Sequence, residues 1–315
     1  MDVCVLGRIG YDLYALDHGR PLAEVERFSR HLGGSSANIA VGLARLGHDV
    51  GIISSVGADA LAEYLLAFLK AEKVDTRFVR LVPGYNTSLC LTEVSPPDRF
   101  PQVFYRREPA DTRVDVGPPE LAAVRSARLF VTNGTSLAAS PAREATLAAL
   151  RAAREAGART VLDVDYRASS WPTPEAAGEQ ARTALPFVDV VLGNEDEITL
   201  LTGDADPRRQ VAAVLDAGVG LLVRKLGARG VETHTRADST SVPPLPVRVV
   251  STIGAGDAFA AGFLDGLHRG RPLSACLRAG NAAAAIVVGR VSCSDAMPYR
   301  QEIEELLRER DKDIT

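Results

Sequence analysis

The sequence predicts an α/β fold in which a mainly parallel sheet is covered by helices on both faces and carries a small β-sheet lid. Short apolar runs alternate with helical patterns along most of the 315-residue chain, as in proteins built from strand–helix–strand units. Two segments, residues 11–32 and 85–107, break this alternation and show no apolar helical stripe. Neither an internal repeat nor a low-complexity linker divides the sequence, so we expect residues 1–315 to form a single domain.

In the first third of the chain, the sequence pattern predicts two strands, each followed by a helix. Residues 3–6 are a short apolar run that suits a buried strand. A helix should begin near Ser35, whose hydroxyl can cap the first amides, and end at Gly47. The next strand covers residues 50–54, and a helix with an apolar stripe covers residues 59–73.

The two interrupting segments are predicted to form the lid, outside the main sheet. In the second of them, residues 87–94 and 103–106 have the alternation of antiparallel strands, with a turn at Pro96–Asp98 between them.

Strand and helix alternate again from residue 121 to the end of the chain. Ser140 and Pro141 mark a helix start, as the N-cap and the first helical residue. Strands are predicted at residues 127–132, 160–165, 188–192, 220–225 and 230–235, and a β-rich run at 247–250. Helices are predicted at residues 140–157, 174–185, 254–270 and 274–290, followed by a charged helix at the end.

Composition excludes several classes of partner. The 36 basic and 40 acidic residues give a net charge of −4, which argues against a non-specific nucleic-acid binder. The longest apolar run, residues 282–288, is too short to span a membrane, and the first residues do not resemble a signal peptide. Four scattered cysteines fit a reducing compartment. We therefore expect a cytoplasmic protein without membrane or nucleic-acid partners.

The most informative motif is TIGAGDAF, residues 252–259, which opens an apolar helix. Its small residues Gly254, Ala255 and Gly256 allow close approach of a ligand to the first helical amides, which favour phosphate. Asp257 is suited to accept a proton from an attacking hydroxyl. The competing interpretation is an ordinary glycine turn in which Asp257 stabilises the helix start. Neither GxxxxGK[ST] nor GxGxxG occurs in the sequence.

This motif resembles the C-terminal signature of the PfkB family of carbohydrate kinases, which have the ribokinase-like fold. Residues 33–38 (GGSSAN) resemble the N-terminal signature of that family, residues 57–59 its next block, and residues 194–197 its N-x-x-E magnesium motif. The motifs occur in the family order over nearly the whole chain. The resemblance implies a kinase that uses ATP and Mg²⁺.

The resemblance also implies a role for each matching residue. Asp257 would be the catalytic base, and Gly254, Ala255 and Gly256 would form the anion hole for the transferring phosphoryl group. The residues that would bind sugar hydroxyls are Asp12, Gly34 and Asn38. Those on the nucleotide side would be Asn194, Lys225, Gly227, Gly230, Thr252 and Asn281, with Asn194 and Glu197 also organising Mg²⁺ through water. A helix cap at residues 194–197, a turn at Asp12 and a surface amide at Asn38 are the structural alternatives.

Further residues are similar to the sugar-acid branches of the family. Arginine offers a planar fork that pairs with a carboxylate, and the resemblance implies that Tyr105, Arg106 and Arg167 bind the substrate carboxylate. Surface arginines are the alternative. Residues 104–106, 163–167 and 289–298 resemble the branch that phosphorylates 5-dehydro-2-deoxy-D-gluconate at its 6-hydroxyl in myo-inositol breakdown. Asp165 stands where 2-keto-3-deoxygluconate kinases have asparagine, which favours the first substrate.

Other functions stay open at this point: a kinase of 2-keto-3-deoxygluconate or of another sugar or nucleoside, or a sugar sensor without catalysis. Asp257 argues against the sensor, which needs no proton acceptor. Ser251 replaces an aspartate that helps several relatives hold a monovalent cation, which puts K⁺ activation in doubt. Because lids in this family commonly pair across a dimer, a homodimer through the lid is also expected.

Overall fold

The computed structural model describes residues 1–97 and 99–312. Asp98 of the predicted turn at Pro96–Asp98 and the last three residues of the predicted domain lie outside this part. Along the described chain the strands are β1 (Val3–Leu6), β2 (Gly10–Ala15), β3 (Phe28–Gly33), β4 (Val50–Gly57), β5 (Asp75–Val82), β6 (Ser88–Thr92), β7 (Gln102–Tyr105), β8 (Leu129–Asn133), β9 (Arg159–Asp163), β10 (Val190–Asn194), β11 (Leu221–Lys225), β12 (Val231–His234) and β13 (Ser239–Val242).

The described chain also has ten α-helices. They are α1 (Ser35–Arg45), α2 (Ala60–Ala71), α3 (Pro118–Ser126), α4 (Ala142–Glu155), α5 (Pro174–Ala184), α6 (Glu195–Thr202), α7 (Pro207–Asp216), α8 (Ala255–His268), α9 (Leu273–Val288) and α10 (Arg300–Lys312).

The main sheet has the strand order β13-β12-β11-β10-β9-β8-β1-β4-β5. The strands from β11 to β5 are parallel to their neighbours, and β12 and β13 add an antiparallel edge. Parallel strands end at the same edge of a sheet, where ligands bind in open α/β folds. The residues that follow β1, β8, β9, β10 and β11 therefore lie near one another.

Both faces of the main sheet are buried, as predicted. In β1, Val3 and Val5 belong to the apolar core that contains α1, α8 and α9, whereas Cys4 and Leu6 face the core that contains α4 and α6. All four side chains are fully buried, which explains why the strand reads as an uninterrupted apolar run.

The lid is a separate four-stranded sheet with the order β3-β2-β6-β7. Its strands lie in the two predicted segments, except that Gly10 and Gly33 extend one residue beyond the first, and β6 and β7 are antiparallel as expected. A parallel pairing of β2 with β6 joins the two segments. Because β2 follows β1 and α1 follows β3, the lid stands beside the ligand-binding edge of the main sheet.

Several details differ from the sequence prediction, which also did not include α3 and α7. Residues 247–250 form no strand. The helix predicted from Ser140 begins later, with Pro141 at the N-cap, and the Ser140 hydroxyl instead donates to Glu144 Oε2 at 2.6 Å. The edge strands β5 and β13 were not predicted, because polar and apolar residues are mixed in both and most of their side chains are partly or fully exposed.

Candidate active site

The predicted anion hole lies at the amino end of α8. Gly254 has a left-handed backbone with φ of +83°, and a Cβ atom there would lie 3.1 Å from the backbone of Cys293. Only glycine suits this position, where the chain turns sharply into the helix. Residues 254–256 are half-buried, and the first amides of a helix lack carbonyl partners within it. The turn is therefore open to an anionic ligand.

Asp257 is the buried carboxylate of this turn, and a donor on α1 holds each of its oxygens. Ser35 Oγ donates to Oδ1 at 2.8 Å, and Asn38 Nδ2 donates to Oδ2 at 2.7 Å. Asn38 Oδ1 in turn accepts from Ser294 Oγ at 2.6 Å. The carboxylate is thus fixed in direction and keeps acceptor capacity for a substrate hydroxyl.

These contacts change the interpretation of Asn38. Its amide is engaged on both sides by protein groups, so one hydrogen of its Nδ2 and one lone pair of its Oδ1 are left for the predicted bond to a sugar hydroxyl. Ser35 and Ser294 were not identified from the sequence as residues of the site. Ser35 is in the GGSSAN motif, where we interpreted it only as a helix start.

Asp12 lies on β2 in the lid, on the face that covers the site. In register with it across the lid sheet are His31, Cys90 and Phe104. Burial raises the pKa of Asp12 to about 6. A Cβ atom on Gly33 would lie 2.1 Å from Asp12 Oδ2, and one on Gly34 would lie 2.5 Å from a backbone oxygen. Both glycines therefore allow the lid and α1 to approach closely.

A buried ion pair stands beside the anion hole. Lys225, at the end of β11, donates through Nζ to Asp163 Oδ1 at 3.1 Å and to Oδ2 at 3.3 Å. Burial opposes the charge of Lys225, but the carboxylates of Asp163, Glu197 and Asp257 together outweigh it and keep the pKa of Lys225 above its usual value. The ammonium lies 3.6 Å from the position of a Cβ on Gly256. A positive charge therefore faces the place where a phosphate would bind.

The predicted carboxylate-binding residues are not equivalent in the structure. The Tyr105 side chain is 62% exposed, and strand alternation directs it to the outer face of the lid, away from Phe104 and Arg106. The prediction that Tyr105 reaches the substrate was therefore wrong for this structure.

Arg106 does face inward, but each of its nitrogens already donates a hydrogen bond. Its partners are Ser88 Oγ, at 3.3 Å from Nε, together with Ser170 and Asp111. Burial lowers the pKa of Arg106 in spite of the Asp111 carboxylate. These contacts fasten the end of the lid strand and use three of the five N–H donors of Arg106.

Arg167 has more hydrogen-bonding capacity left for a ligand than Arg106. Its Nη2 pairs with Asp165 Oδ1 at 2.8 Å, and its side chain is 40% exposed, so part of the guanidinium still faces solvent. The Asp165 carboxylate raises the pKa of Arg167.

Asn194 and Glu197 form a capping box at the start of α6. Asn194 Oδ1 accepts from Glu197 N at 2.9 Å, and Glu197 Oε2 accepts from Asn194 N at 2.8 Å. The other oxygen, Oε1, accepts from Tyr166 N at 3.1 Å. Residues 194–197 therefore form the helix cap that was the structural alternative. The Glu197 carboxylate is also close enough to Lys225 to raise the pKa of Lys225, by less than Asp163 does.

The predicted nucleotide-side residues lie around the turn between β11 and β12. Lys225 is in register with Asn194 on the neighbouring strand. Gly227 and Gly230 have positive φ angles of 57° and 93°, and a Cβ on Gly230 would lie 2.3 Å from Val242 O. On α9, Asn281 Nδ2 donates to Pro243 O at 2.8 Å. Thr252, just before the anion hole, is exposed.

Two further features bear on ligands. Ser251 is fully buried, and its hydroxyl accepts from Ile253 N at 3.3 Å, so no charge stands at this position. Within residues 1–97 and 99–312, no group of three or more His, Cys, Asp or Glu side chains could hold a metal by itself, and no helix has the length and apolarity to cross a membrane.

Comparisons with known proteins agree with this description. A family model described as pfkB family carbohydrate kinase matches residues 1–300. A 5-dehydro-2-deoxygluconokinase from Clostridium perfringens is 34% identical over 313 residues, which cover 98% of this chain and 93% of the relative.

Solved structures of two other kinases superpose over nearly the whole chain. A fructokinase with bound ATP from Xylella fastidiosa has a TM-score of 0.87 and 26% identity, covering 98% of this chain and 99% of its own. A putative ribokinase II from E. coli in complex with ATP and Mg²⁺ has a TM-score of 0.89 and 24% identity, with the same coverage. The predicted ribokinase-like α/β fold is confirmed.

Proposed function

Because the chain belongs to the pfkB family of carbohydrate kinases, we propose that it transfers the γ-phosphoryl group of ATP to the 6-hydroxyl of 5-dehydro-2-deoxy-D-gluconate. The protein is a phosphotransferase that acts on a hydroxyl of a carbohydrate. The observation that carries the proposal is the Asp257 carboxylate, oriented by two hydrogen bonds beside an open helix end. Phosphoryl transfer to an alcohol needs this combination of proton acceptor and anion site.

The proposed reaction is a direct displacement. The 6-hydroxyl oxygen attacks the γ-phosphorus while its proton passes to Asp257. The bond between the γ-phosphorus and the bridging oxygen breaks, and ADP leaves with that electron pair. The amides of residues 254–256 and the ammonium of Lys225 would stabilise charge on the transferring group. Asp12, Gly34, Asn38 and Arg167 would border the sugar, and Gly227, Gly230, Thr252 and Asn281 the nucleotide.

The residues near the phosphate site fit Mg²⁺ held through water. Mg²⁺ keeps several waters and neutralises phosphate oxygens, so it needs few protein ligands. Glu197 is buried at the edge of the site, and both its oxygens are anchored by backbone amides while retaining lone pairs for water. Asn194 is exposed beside it. We expect no strict requirement for K⁺, because Ser251 supplies no charge.

The Glu197→Gln variant tests this metal assignment. Loss of the charge should raise the Mg²⁺ concentration for half-maximal rate by about 10-fold or more, the usual cost of changing an outer-shell carboxylate. A magnesium titration of the rate measures it, with Asp196→Asn, an exposed acid of the same helical turn, as the control. An unchanged titration combined with a lower melting temperature would leave Glu197 with its capping role alone.

A substrate panel tests the function itself. ADP release should be measured with 5-dehydro-2-deoxygluconate, 2-keto-3-deoxygluconate, ribose, fructose and adenosine. We expect the highest kcat/KM for the first of these. A higher value for another member would reassign the substrate, and no ADP release with any member at saturating concentration would favour the sugar sensor.

The lid supplies a surface for the proposed homodimer. On its outer face Leu89 is opposite Tyr105 and Leu91 is opposite Val103. The Tyr105 side chain is 62% exposed and the Val103 side chain is 44% exposed. Burial of such a patch against a second copy would remove apolar area from water.

The four cysteines are free and buried, which suits a reducing cytoplasm.

Charge on that surface should separate the subunits. We expect Tyr105→Glu to convert a dimer to a monomer, as measured by light scattering during gel filtration. Leu81→Glu is the matched control, because Leu81 is an exposed apolar residue on the edge strand β5 of the other sheet. A wild-type protein that is monomeric at micromolar concentration would contradict the dimer.

A further inference from the structure

Arg8, which follows β1, is a buried arginine without a hydrogen-bond or ion-pair partner among the described residues. It is only 6% exposed, and its Nε is buried and makes no hydrogen bond. No residue of the described chain forms a hydrogen bond or an ion pair with this guanidinium. Burying a charged group without compensation is costly, and side chains in this state are retained where a ligand completes them.

The guanidinium of Arg8 lies between the lid and the main sheet. Its Cζ is 5.8 Å from the ring centroid of Phe104, which is in the same row of the inner lid face as Asp12. Nη1 is 3.3 Å from the position that a Cβ on Gly10 would take. Burial raises the pKa of Asp12, and the charge of Arg8 opposes that rise. Arg8 therefore belongs to the sugar side of the site.

The other cations of this region already have carboxylate partners. They pair as Arg106 with Asp111, Arg167 with Asp165, and Lys225 with Asp163. Asp12, by contrast, accepts no hydrogen bond from any described residue and forms no ion pair with Arg8, although the two charges are close enough to influence each other. A ligand that donates a hydroxyl to Asp12 and presents an anion to Arg8 would satisfy both groups.

We propose that Arg8 binds the carboxylate of the sugar acid and sets the preference for acids over neutral sugars. This rests on the proposed function and moves the main carboxylate contact from Arg106 to Arg8. A planar guanidinium can hold a carboxylate through two parallel hydrogen bonds. A neutral sugar leaves the buried charge unpaired, so the site rejects it by more than the loss of one contact.

The test compares Arg8→Met, Arg8→Lys and wild type on 5-dehydro-2-deoxygluconate and on its analogue with the carboxylate reduced to an alcohol. For the acid, Arg8→Met should lose about 10- to 150-fold in kcat/KM, equivalent to about 1.5–3 kcal/mol at about 1.4 kcal/mol per decade. Most of the loss should be in KM, because the carboxylate is remote from the reacting hydroxyl. Arg8→Lys should recover part of it, and the neutral analogue should change little.

Melting temperature separates this role from a structural one. Without ligand, Arg8→Met should be at least as stable as wild type, because it removes an unpaired buried charge. The acid should raise the melting temperature of wild type and not that of Arg8→Met. Arg99→Met, at an exposed arginine of the lid, is the matched control and should behave like wild type in every measurement.

The outcomes distinguish this proposal from the proposed function. Equal losses on acid and analogue, or a clear drop in the melting temperature of ligand-free Arg8→Met, would overturn the role of Arg8 and leave the substrate assignment intact. A wild-type preference for a different sugar acid, lost in Arg8→Met, would change the substrate and keep the role of Arg8. A wild-type preference for neutral sugars would overturn both.

Discussion

The Asp257→Asn variant should lose about 10²–10⁴-fold in kcat, because it removes the proton acceptor and keeps the size of the side chain. The surrounding hydrogen bonds can adapt. The new amide oxygen can accept from Asn38, and the new amide nitrogen can donate to Ser35, whose hydroxyl is also an acceptor. We therefore expect the fold and the affinity for ATP to be largely unchanged.

Steady-state turnover together with binding of a non-hydrolysable ATP analogue measures this effect. Asp216→Asn, at an exposed aspartate of α7, controls for the loss of one negative charge. Turnover close to the wild-type rate would remove Asp257 from the proton transfer and return it to the role of a helix-capping residue.

The Lys225→Met variant should show the second large effect, on both stability and rate. It leaves the Asp163 carboxylate buried without its partner, which destabilises proteins by about 3–5 kcal/mol. It also removes the positive charge that faces the anion hole, and loss of one such electrostatic contact costs about 10²–10³-fold in kcat.

A double variant separates the two effects. In Lys225→Met combined with Asp163→Asn the unpaired charge is gone, so the free energy of unfolding should return most of the way to the wild-type value. The rate should stay low, because the ammonium is still missing. Denaturant unfolding and turnover measured on the same preparations test this. A double variant with wild-type turnover would limit Lys225 to a structural role.

The parts of the fold that the sequence predicted are those in which burial dictates residue type. β1, β8, β9 and β11 are buried on both faces and therefore read as apolar runs between polar ends. The edge strand β5 has the sequence DTRFVRLV with no fully buried residue, so no such pattern marked it. Its place depends on pairing with β4, a long-range contact that local sequence does not encode.

The candidate site was predictable where a single short motif carries the chemistry, as in residues 252–259. Contacts between distant motifs were not, and so the bond from Asn38 to Asp257 was missed. For Tyr105 a signal was available: neighbouring residues of a strand face opposite sides, so Tyr105 and Arg106 could not both face the substrate. Arg8 was missed because one arginine after an apolar run has no distinctive pattern.

The hydrogen bonds around Asp257 also have a consequence for the time at which the enzyme becomes active during synthesis. Ser35 and Asn38 precede Asp257 by 222 and 219 residues, and Ser294 follows Asn38 by 256. Contacts between such distant positions form late, after the intervening chain has been ordered. A nascent chain that lacks its last quarter contains Ser35 and Asn38 but neither Asp257 nor Ser294. Phosphoryl transfer therefore begins only when the motif around residues 33–38 has met residues 252–294.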